Sequence, residues 1–296
     1  MASQTATSTW WNLPTISFND RGLTPGQSYT YTVKATDPDG NSRTSSPVTV
    51  TVASGQVSPY AETVLDANPS LYYRLGGSTV DWGGNNNPLY GSRVSTVTSG
   101  GVVGSAASSF NGSSTSIVSS SSTSVLPAQL SEELWFKTNT TRGGKLIGYG
   151  NKKNTNSGSH DRHVYMTNAG KLVFGAYPGA VKTITSPQSY NDNTWHHMVA
   201  TLGTDGMKLY VDGALVASDA SVTNGQNVTG YWRIGGDTVS GWPSAPSSAF
   251  FSGQMNDVAI YPTVLSAEQV SLHFGVGKGL TPPTASLTAT DSDLDV

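Results

Sequence analysis

Two adjacent histidines follow a tryptophan at Trp195-His196-His197, and a second dense run reads His160-Asp161-Arg162-His163. Together they hold four of the five histidines in the chain. Such residues chelate metals or move protons. A zinc site needs about four converging ligands. Adjacent residues of a strand point to opposite faces. His196 and His197 therefore cannot grip one ion from a regular strand, where positions i and i+2 would be needed. The 160–163 run reads as a polar loop entering a strand, with Asp161 and Arg162 tying the loop down. Cysteine is absent, which excludes disulfides, thiolate zinc sites and a cysteine nucleophile.

Carboxylate chemistry is as sparse. The glutamates are Glu62, Glu132, Glu133 and Glu268. No two lie at i and i+4, and Glu132 and Glu133 must face opposite ways. Glycoside hydrolysis generally needs two carboxyl groups at a set separation. No nucleophile elbow or phosphate loop is present. The net charge is −3 and only 12 % of residues are charged; Lys152-Lys153 is the densest basic spot. A nucleic-acid surface needs a basic stripe, so that partner class is set aside. No apolar run reaches the roughly 18 residues of a membrane span.

The elements that must position these residues are short strands. Ser28 to Ala35 alternate, Asp37-Pro38-Asp39-Gly40-Asn41 reads as a turn, and Pro47 to Val52 forms another strand. Further strands are expected at Leu71–Leu75, Ser116–Val118, Glu133–Lys137, Lys145–Gly148, His163–Met166, Lys171–Phe174, Trp195–Leu202, Met207–Val211, Tyr231–Ile234 and Asp257–Tyr261. Turn signals such as Asn111-Gly112, Asp205-Gly206 and Asp212-Gly213 separate many of them. A helix starts at Ser266 with Gln269 completing a capping box, and a short helical turn is expected at Val64 to Asn68. This is an all-β chain, an antiparallel two-sheet sandwich with a small immunoglobulin-like β module in front. The divisions are 1–54, a linker at 55–59, a large region at 60–275, and a linker with the start of a further module at 276–296.

Three resemblances are specific. Leu23-Thr24-Pro25-Gly26-Gln27-Ser28-Tyr29, then Tyr31, Val33 and Ala35, resembles the last strands of a fibronectin type III domain, with Tyr29 as the corner tyrosine. Trp195-His196-His197, Leu209-Tyr210-Val211-Asp212-Gly213, Ile234-Gly235-Gly236 and Phe251 to Tyr261 with Leu265-Ser266, in that order, resemble the laminin-G-like, concanavalin-A-like jelly-roll family of bacterial surface proteins. The last residues, 285–296, resemble the first strand of a polycystic-kidney-disease-type module. The jelly-roll resemblance implies two packed antiparallel sheets and, in many relatives, a structural calcium. Some enzymes on that fold carry a Glu-x-Asp-x-Glu strand, which this chain lacks.

The expected role is non-catalytic recognition of a glycan or cell-surface polymer, outside the cell or on its surface, beside neighbouring modules of the same chain. The alternatives are a structural or adhesive spacer, including a phage tail-fibre role, and an accessory domain of a carbohydrate-active enzyme. Sugars stack apolar faces on aromatic rings and bond polar groups with their hydroxyls. The candidate contacts are Trp82, Tyr90, Tyr177 and Trp242, with His160, Asp161, Arg162 and nearby Asn151, Asn154 and Asn156; Tyr190 is a further loop aromatic. Calcium takes oxygen ligands, and its candidates are Asp81, Asn85 and Asp257.

Overall fold

The computed structural model describes residues 27–51, 57–91, 94–97 and 100–280. Trp10-Trp11, the linker at 281–284 and the strand expected over 285–296 lie outside the described residues. The chain divides into two compact units, Met1–Ser58 and Pro59–Val296.

In the first unit β1 (Ser28–Tyr31) pairs antiparallel with β4 (Val48–Thr51), and β2 (Lys34–Thr36) with β3 (Ser42–Thr44). The expected single strand over 28–35 is interrupted. Val33 turns to Ser45, donating its N–H to the Ser45 hydroxyl at 3.0 Å and accepting the Ser45 N–H at 2.8 Å. The Asp37–Asn41 turn forms as expected. Asp37 accepts the Asn41 N–H at 2.8 Å, and Gly40 takes φ +88°, where only glycine is unstrained.

The second unit begins with α1 (Pro59–Asp66), whose proline sits at the first helical position, where its missing N–H costs nothing. Then come β5 (Leu71–Tyr73), β6 (Leu89–Tyr90), β7 (Ser95–Val97), β8 (Ala107–Asn111), β9 (Val118–Ser120), β10 (Ser124–Val125), β11 (Leu130–Lys137) and β12 (Gly144–Gly150). These are followed by β13 (His160–Met166), β14 (Lys171–Ala176), β15 (Lys182–Ser189), β16 (Trp195–Gly203), β17 (Gly206–Val211), β18 (Ala214–Asp219), β19 (Thr229–Ile234), β20 (Ser252–Tyr261) and α2 (Ala267–Gly277).

Two eight-stranded antiparallel sheets result. One runs β18-β17-β16-β11-β20-β8-β7 with β5 also on β20; the other runs β15-β14-β13-β12-β19-β9-β6 with β10 also on β19. Their facing side chains form one core. Leu130, Leu134, Phe136, Met198, Ala200 and Leu202 of the first sheet meet Val164, Met166, Leu172, Phe174 and Ile234 of the second. The alternation read from the sequence thus decides which side of each strand is inside.

The other face of the first sheet is covered by the helices. Trp135 lies between Tyr60 of α1 and Phe274 of α2, at ring distances of 6.0 and 5.9 Å. At Gly277 a Cβ would collide with the Trp135 ring, so the helix approaches only because that residue is glycine. The capping box of α2 forms as expected: Gln269 N–H donates to the Ser266 hydroxyl at 3.2 Å, and Ser266 N–H to Gln269 Oε1 at 2.9 Å.

Two strands depart from the sequence pattern. β15 carries Pro187 and little alternation, yet it forms at the sheet edge, where a missing N–H is tolerated. β8, Ala-Ser-Ser-Phe-Asn, has few apolar residues and is held by pairing with β20 and β7. The expected short turn at 64–68 is a helix that begins at Pro59 and ends before Asn68, which takes φ +55°.

Candidate functional site

Tyr90 is the more exposed of two aromatics, with Trp82, that the second unit presents to solvent among the described residues. On the edge strand β6 it pairs with Ser119, while Leu89 pairs with Ser120. Alternation buries Leu89 at 7 % exposure and leaves Tyr90 at 45 %. Gly91, at φ +109°, lets the chain pass against the Ile117 carbonyl, which a Cβ would approach to 2.9 Å. Tyr90 forms one wall of an open cleft of about 550 Å³, shared with Thr79, Thr115, Ser119, Lys153 and Asn154. That volume lies in the range of small-molecule sites.

Lys153 reaches the cleft from the loop between β12 and β13. Its ammonium sits over the Tyr90 ring at 4.9 Å and the Tyr231 ring at 5.3 Å, a geometry in which ring quadrupoles attract the cation. Buried Arg233 braces this loop by donating to the carbonyls of Lys152 at 2.5 Å and Thr155 at 2.8 Å. Asn151 closes its base, accepting the N–H of Gly158 at 3.0 Å and of Ser159 at 3.2 Å. The cleft offers the Tyr90 phenol ring, an amine, an amide and the hydroxyls of Thr79, Ser114, Thr115 and Ser119. A second, smaller cleft of about 370 Å³ is lined by Asn85, Asn86, Asn87, Ser122 and Ser124.

The other candidate sugar contacts do not gather there. Asp161, Arg162 and Trp242 are interior residues, at 0 %, 2 % and 7 % exposure, and that placement withdraws them from a surface ligand. The cause is a β-bulge: the β12–β13 register slips at Arg162, which takes φ +40°. Asp161 then accepts the N–H of Tyr177 at 2.8 Å and of Gln226 at 2.5 Å, and Arg162 donates to the Gln226 carbonyl at 2.9 Å. Trp242 packs on Val173 and Tyr165, with half-buried Tyr177 against the same cluster. Its indole N–H is taken by His160 Nε2 at 2.8 Å. Tyr190 is also buried, at 9 % exposure, with its ring on His196. Trp82 is 38 % exposed, with the Arg74 guanidinium 5.4 Å above its ring.

The calcium candidates do not converge either. Asp81 spends its oxygens on the N–H groups of Tyr72, Gly83 and Asn87, at 3.1, 2.9 and 3.2 Å. Asn85 donates its amide to the Ser70 carbonyl. Asp257 sits in a bulge at φ +50°, accepting the Tyr72 hydroxyl at 2.5 Å with Arg74 at 3.7 Å. Asp81 and Asp257 thus hold opposite ends of Tyr72, its backbone and its phenol. Among the described residues no group of three or more His, Asp or Glu could hold a metal ion. Asp81 and Asp257, at opposite ends of Tyr72, do not share one calcium.

Burial pushes the Asp257 carboxyl up to about 7, against the Tyr72 hydrogen bond and the Arg74 charge. Its unfolded value is near 3.9. Between those values the folded state keeps a proton that the unfolded chain has lost, so this group's contribution to stability falls as pH rises. Asp257→Asn lacks this titration. We expect the stability of wild type relative to Asp257→Asn, from urea unfolding, to decline from about pH 4 to about pH 7. A flat or rising difference contradicts the assignment.

His196 and His197 face opposite sides of β16, as the sequence requires. His196 bonds Asp212 at 2.7 Å, and His197 bonds Glu133 at 2.8 Å. Glu133 also accepts from Tyr60 at 2.7 Å, Tyr261 at 2.5 Å and His273 at 3.0 Å, all beneath the helices. Burial alone would raise its pKa. The His273 charge and the hydrogen bonds from His197 and His273 outweigh that and hold it well below the usual range. Glu133 is closed off at 0 % exposure, so this cluster joins helices to sheet rather than meeting a ligand.

The two packed antiparallel sheets form a jelly-roll sandwich. Residues 111–271 match the family described as the concanavalin A-like lectin/glucanases superfamily, and the chain belongs to it. No curated protein sequence matches the chain. Among solved structures, the binding domain of Paraclostridial Mosquitocidal Protein 1 is similar at TM-score 0.55 and 15 % identity, over 72 % of this chain and 53 % of that one. The botulinum neurotoxin serotype G binding domain is similar at TM-score 0.52 and 15 % identity, over 71 % of this chain and 51 % of that one. The receptor binding domain of botulinum neurotoxin D matches at TM-score 0.52 and 15 % identity, over 72 % and 53 %. The chain spans about half the length of these domains, and the likeness is one of fold. Among the described residues no helix is long and apolar enough to cross a membrane.

Proposed function

We propose that the chain is a non-catalytic carbohydrate-recognition module and that the Tyr90 cleft holds the saccharide. The observation that carries this reading is the half-exposed Tyr90 ring, framed by Lys153, Asn154, Thr79, Thr115 and Ser119 in one open cleft. A ring face takes the apolar side of a pyranose, and the surrounding donors and acceptors take its hydroxyls. No Asp or Glu lines this cleft, which supports binding over glycosidic cleavage, since cleavage generally uses two carboxyl groups. The solved binding domains of similar fold are consistent with a binding role. The same reading makes the chain a segment of an exported modular protein that meets a glycan or cell-surface polymer, with a fibronectin-like unit in front.

The test is a glycan array on wild type, Tyr90→Ala and Trp82→Ala. Saturable binding is expected for wild type, weakened at least about tenfold (~1.4 kcal/mol) by Tyr90→Ala and little changed by Trp82→Ala. Binding that survives Tyr90→Ala moves the site elsewhere. No binding by wild type favours the structural or adhesive spacer.

A further inference from the structure

Lys145 Nζ and Asp237 Oδ2 stand 3.7 Å apart with both side chains at 0 % exposure. That is beyond hydrogen-bond distance, and neither atom has a hydrogen-bond partner. A buried ammonium and carboxylate normally complete their bonds, because unpaired buried charge is costly. Here the fold brings the two together and leaves their reactive atoms free.

The surroundings are arranged around the carboxyl carbon. One carbonyl, that of Ala249, accepts the backbone N–H of both residues, at 3.3 Å from Lys145 and 3.4 Å from Asp237, fixing the two backbones side by side. The other carboxyl oxygen, Asp237 Oδ1, accepts two backbone N–H groups, from Ser157 at 2.9 Å and Thr238 at 2.8 Å. Paired N–H donors on one oxygen stabilise the negative charge of a tetrahedral intermediate. At Gly150 a Cβ would collide with Asp237 Oδ2 and the Ser157 hydroxyl, so glycine there keeps the space beside the free oxygen. Burial lowers Lys145 to about 8, against the Asp237 charge, which makes the neutral, nucleophilic amine accessible near neutral pH. Glu132 is also at 0 % exposure with both oxygens unpartnered, and burial holds its carboxyl protonated against the Lys145 charge.

We propose that Lys145 and Asp237 condense to an intramolecular amide that staples β12 to the residues following β19. The Lys145 ammonium first passes a proton to Asp237 Oδ2, giving a neutral amine and a neutral acid. The amine lone pair attacks Cγ, and the charge gathers on Oδ1 under the Ser157 and Thr238 N–H groups. A second proton moves from the nitrogen to Oδ2, the Cγ–Oδ2 bond breaks, and water leaves as the carbonyl re-forms. One C–N bond forms, one C–O bond breaks, and no oxidant or co-reactant is needed. The charges of Lys145 and Arg233 hold Asp237 below its usual pKa despite burial. The resting pair is therefore ionic, and the reaction proceeds slowly from its minor neutral form.

The test is intact mass spectrometry of the full chain after prolonged incubation near pH 8, followed by proteolysis and tandem sequencing. The expected result is a mass below the sequence value by one water, with a branched peptide joining Lys145 to Asp237. Lys145→Arg should stay at its full sequence mass, and that reading does not require the variant to fold. The branched peptide locates the bond in wild type without any variant. Wild type at its full sequence mass overturns the proposal and leaves an ordinary buried ion pair. So does a water deficit that maps elsewhere or persists in Lys145→Arg.

Discussion

Glu133→Ala should lower the unfolding free energy by about 3–5 kcal/mol, the cost of breaking a buried charged network by removing one partner. The carboxylate accepts from two tyrosine hydroxyls and two imidazoles that come from four elements: Tyr60 of α1, His197 of β16, Tyr261 of β20 and His273 of α2. Removing it leaves those donors buried and unpaired between the helices and the sheet. The partners are themselves tuned to it. Burial lowers His273, but the Glu133 charge and hydrogen bond more than reverse that and raise its pKa. Glu133→Gln should fall between, because one oxygen remains to accept while its amide group faces donors. Urea unfolding followed by tryptophan fluorescence measures both, since Trp135 lies in the same layer. A loss under about 1 kcal/mol, the size of a single ordinary hydrogen bond, contradicts the network.

Trp242→Ala should cost about 3–5 kcal/mol, as for other large aromatic truncations in cores. The ring lies 4.2 Å from His163 and covers the outer face of the second sheet, where Gly175 leaves room that a Cβ would deny it. Its N–H partner, His160, would lose that bond. Burial depresses His160 to about 4, with the Lys145 charge adding to it; a neutral ring is the form that accepts from the indole. Trp82→Ala is the contrast. Its ring is more than a third exposed and meets Arg74 across solvent-facing surface, so about 1 kcal/mol or less is expected. Thermal or urea unfolding of the two variants separates a structural tryptophan from a surface one. Equal, small losses contradict the placement of Trp242.

The strands were legible because alternation is a local signal. Trp195 to Leu202 buries Met198, Ala200 and Leu202 in the core and turns His197 toward the helices, as period two requires. The capping box at Ser266 and the Asp212-Gly213 turn, with φ +52° and +80°, were readable for the same reason. β8 and β15 were not, because their pairing is supplied by neighbours rather than by their own side chains.

The site was less legible. Tyr90 could be named from its loop-like context, and Asn154 stood among the polar candidates, yet nothing local joins them. Lys153 was visible only as a basic spot in a chain poor in charge. It reaches Tyr90 through the Arg233 brace, some eighty residues further along the sequence. Asp161 and Arg162 misled because a bulge re-aims them, and a bulge depends on the register between strands. Lys145 and Asp237 carried no pattern at all, since they lie far apart in sequence and the Ala249 carbonyl, which accepts from both backbones, brings them together.

The most direct measurement is an amide-resolved NMR titration of the chain with an oligosaccharide that wild type retains on an array. Shifts are expected to cluster at Tyr90, Thr115, Ser119, Lys153 and Asn154 and to saturate, with the sugar recovered uncleaved. Shifts centred on another face, or cleavage of the oligosaccharide that tracks the protein, would contradict a non-catalytic saccharide site at Tyr90.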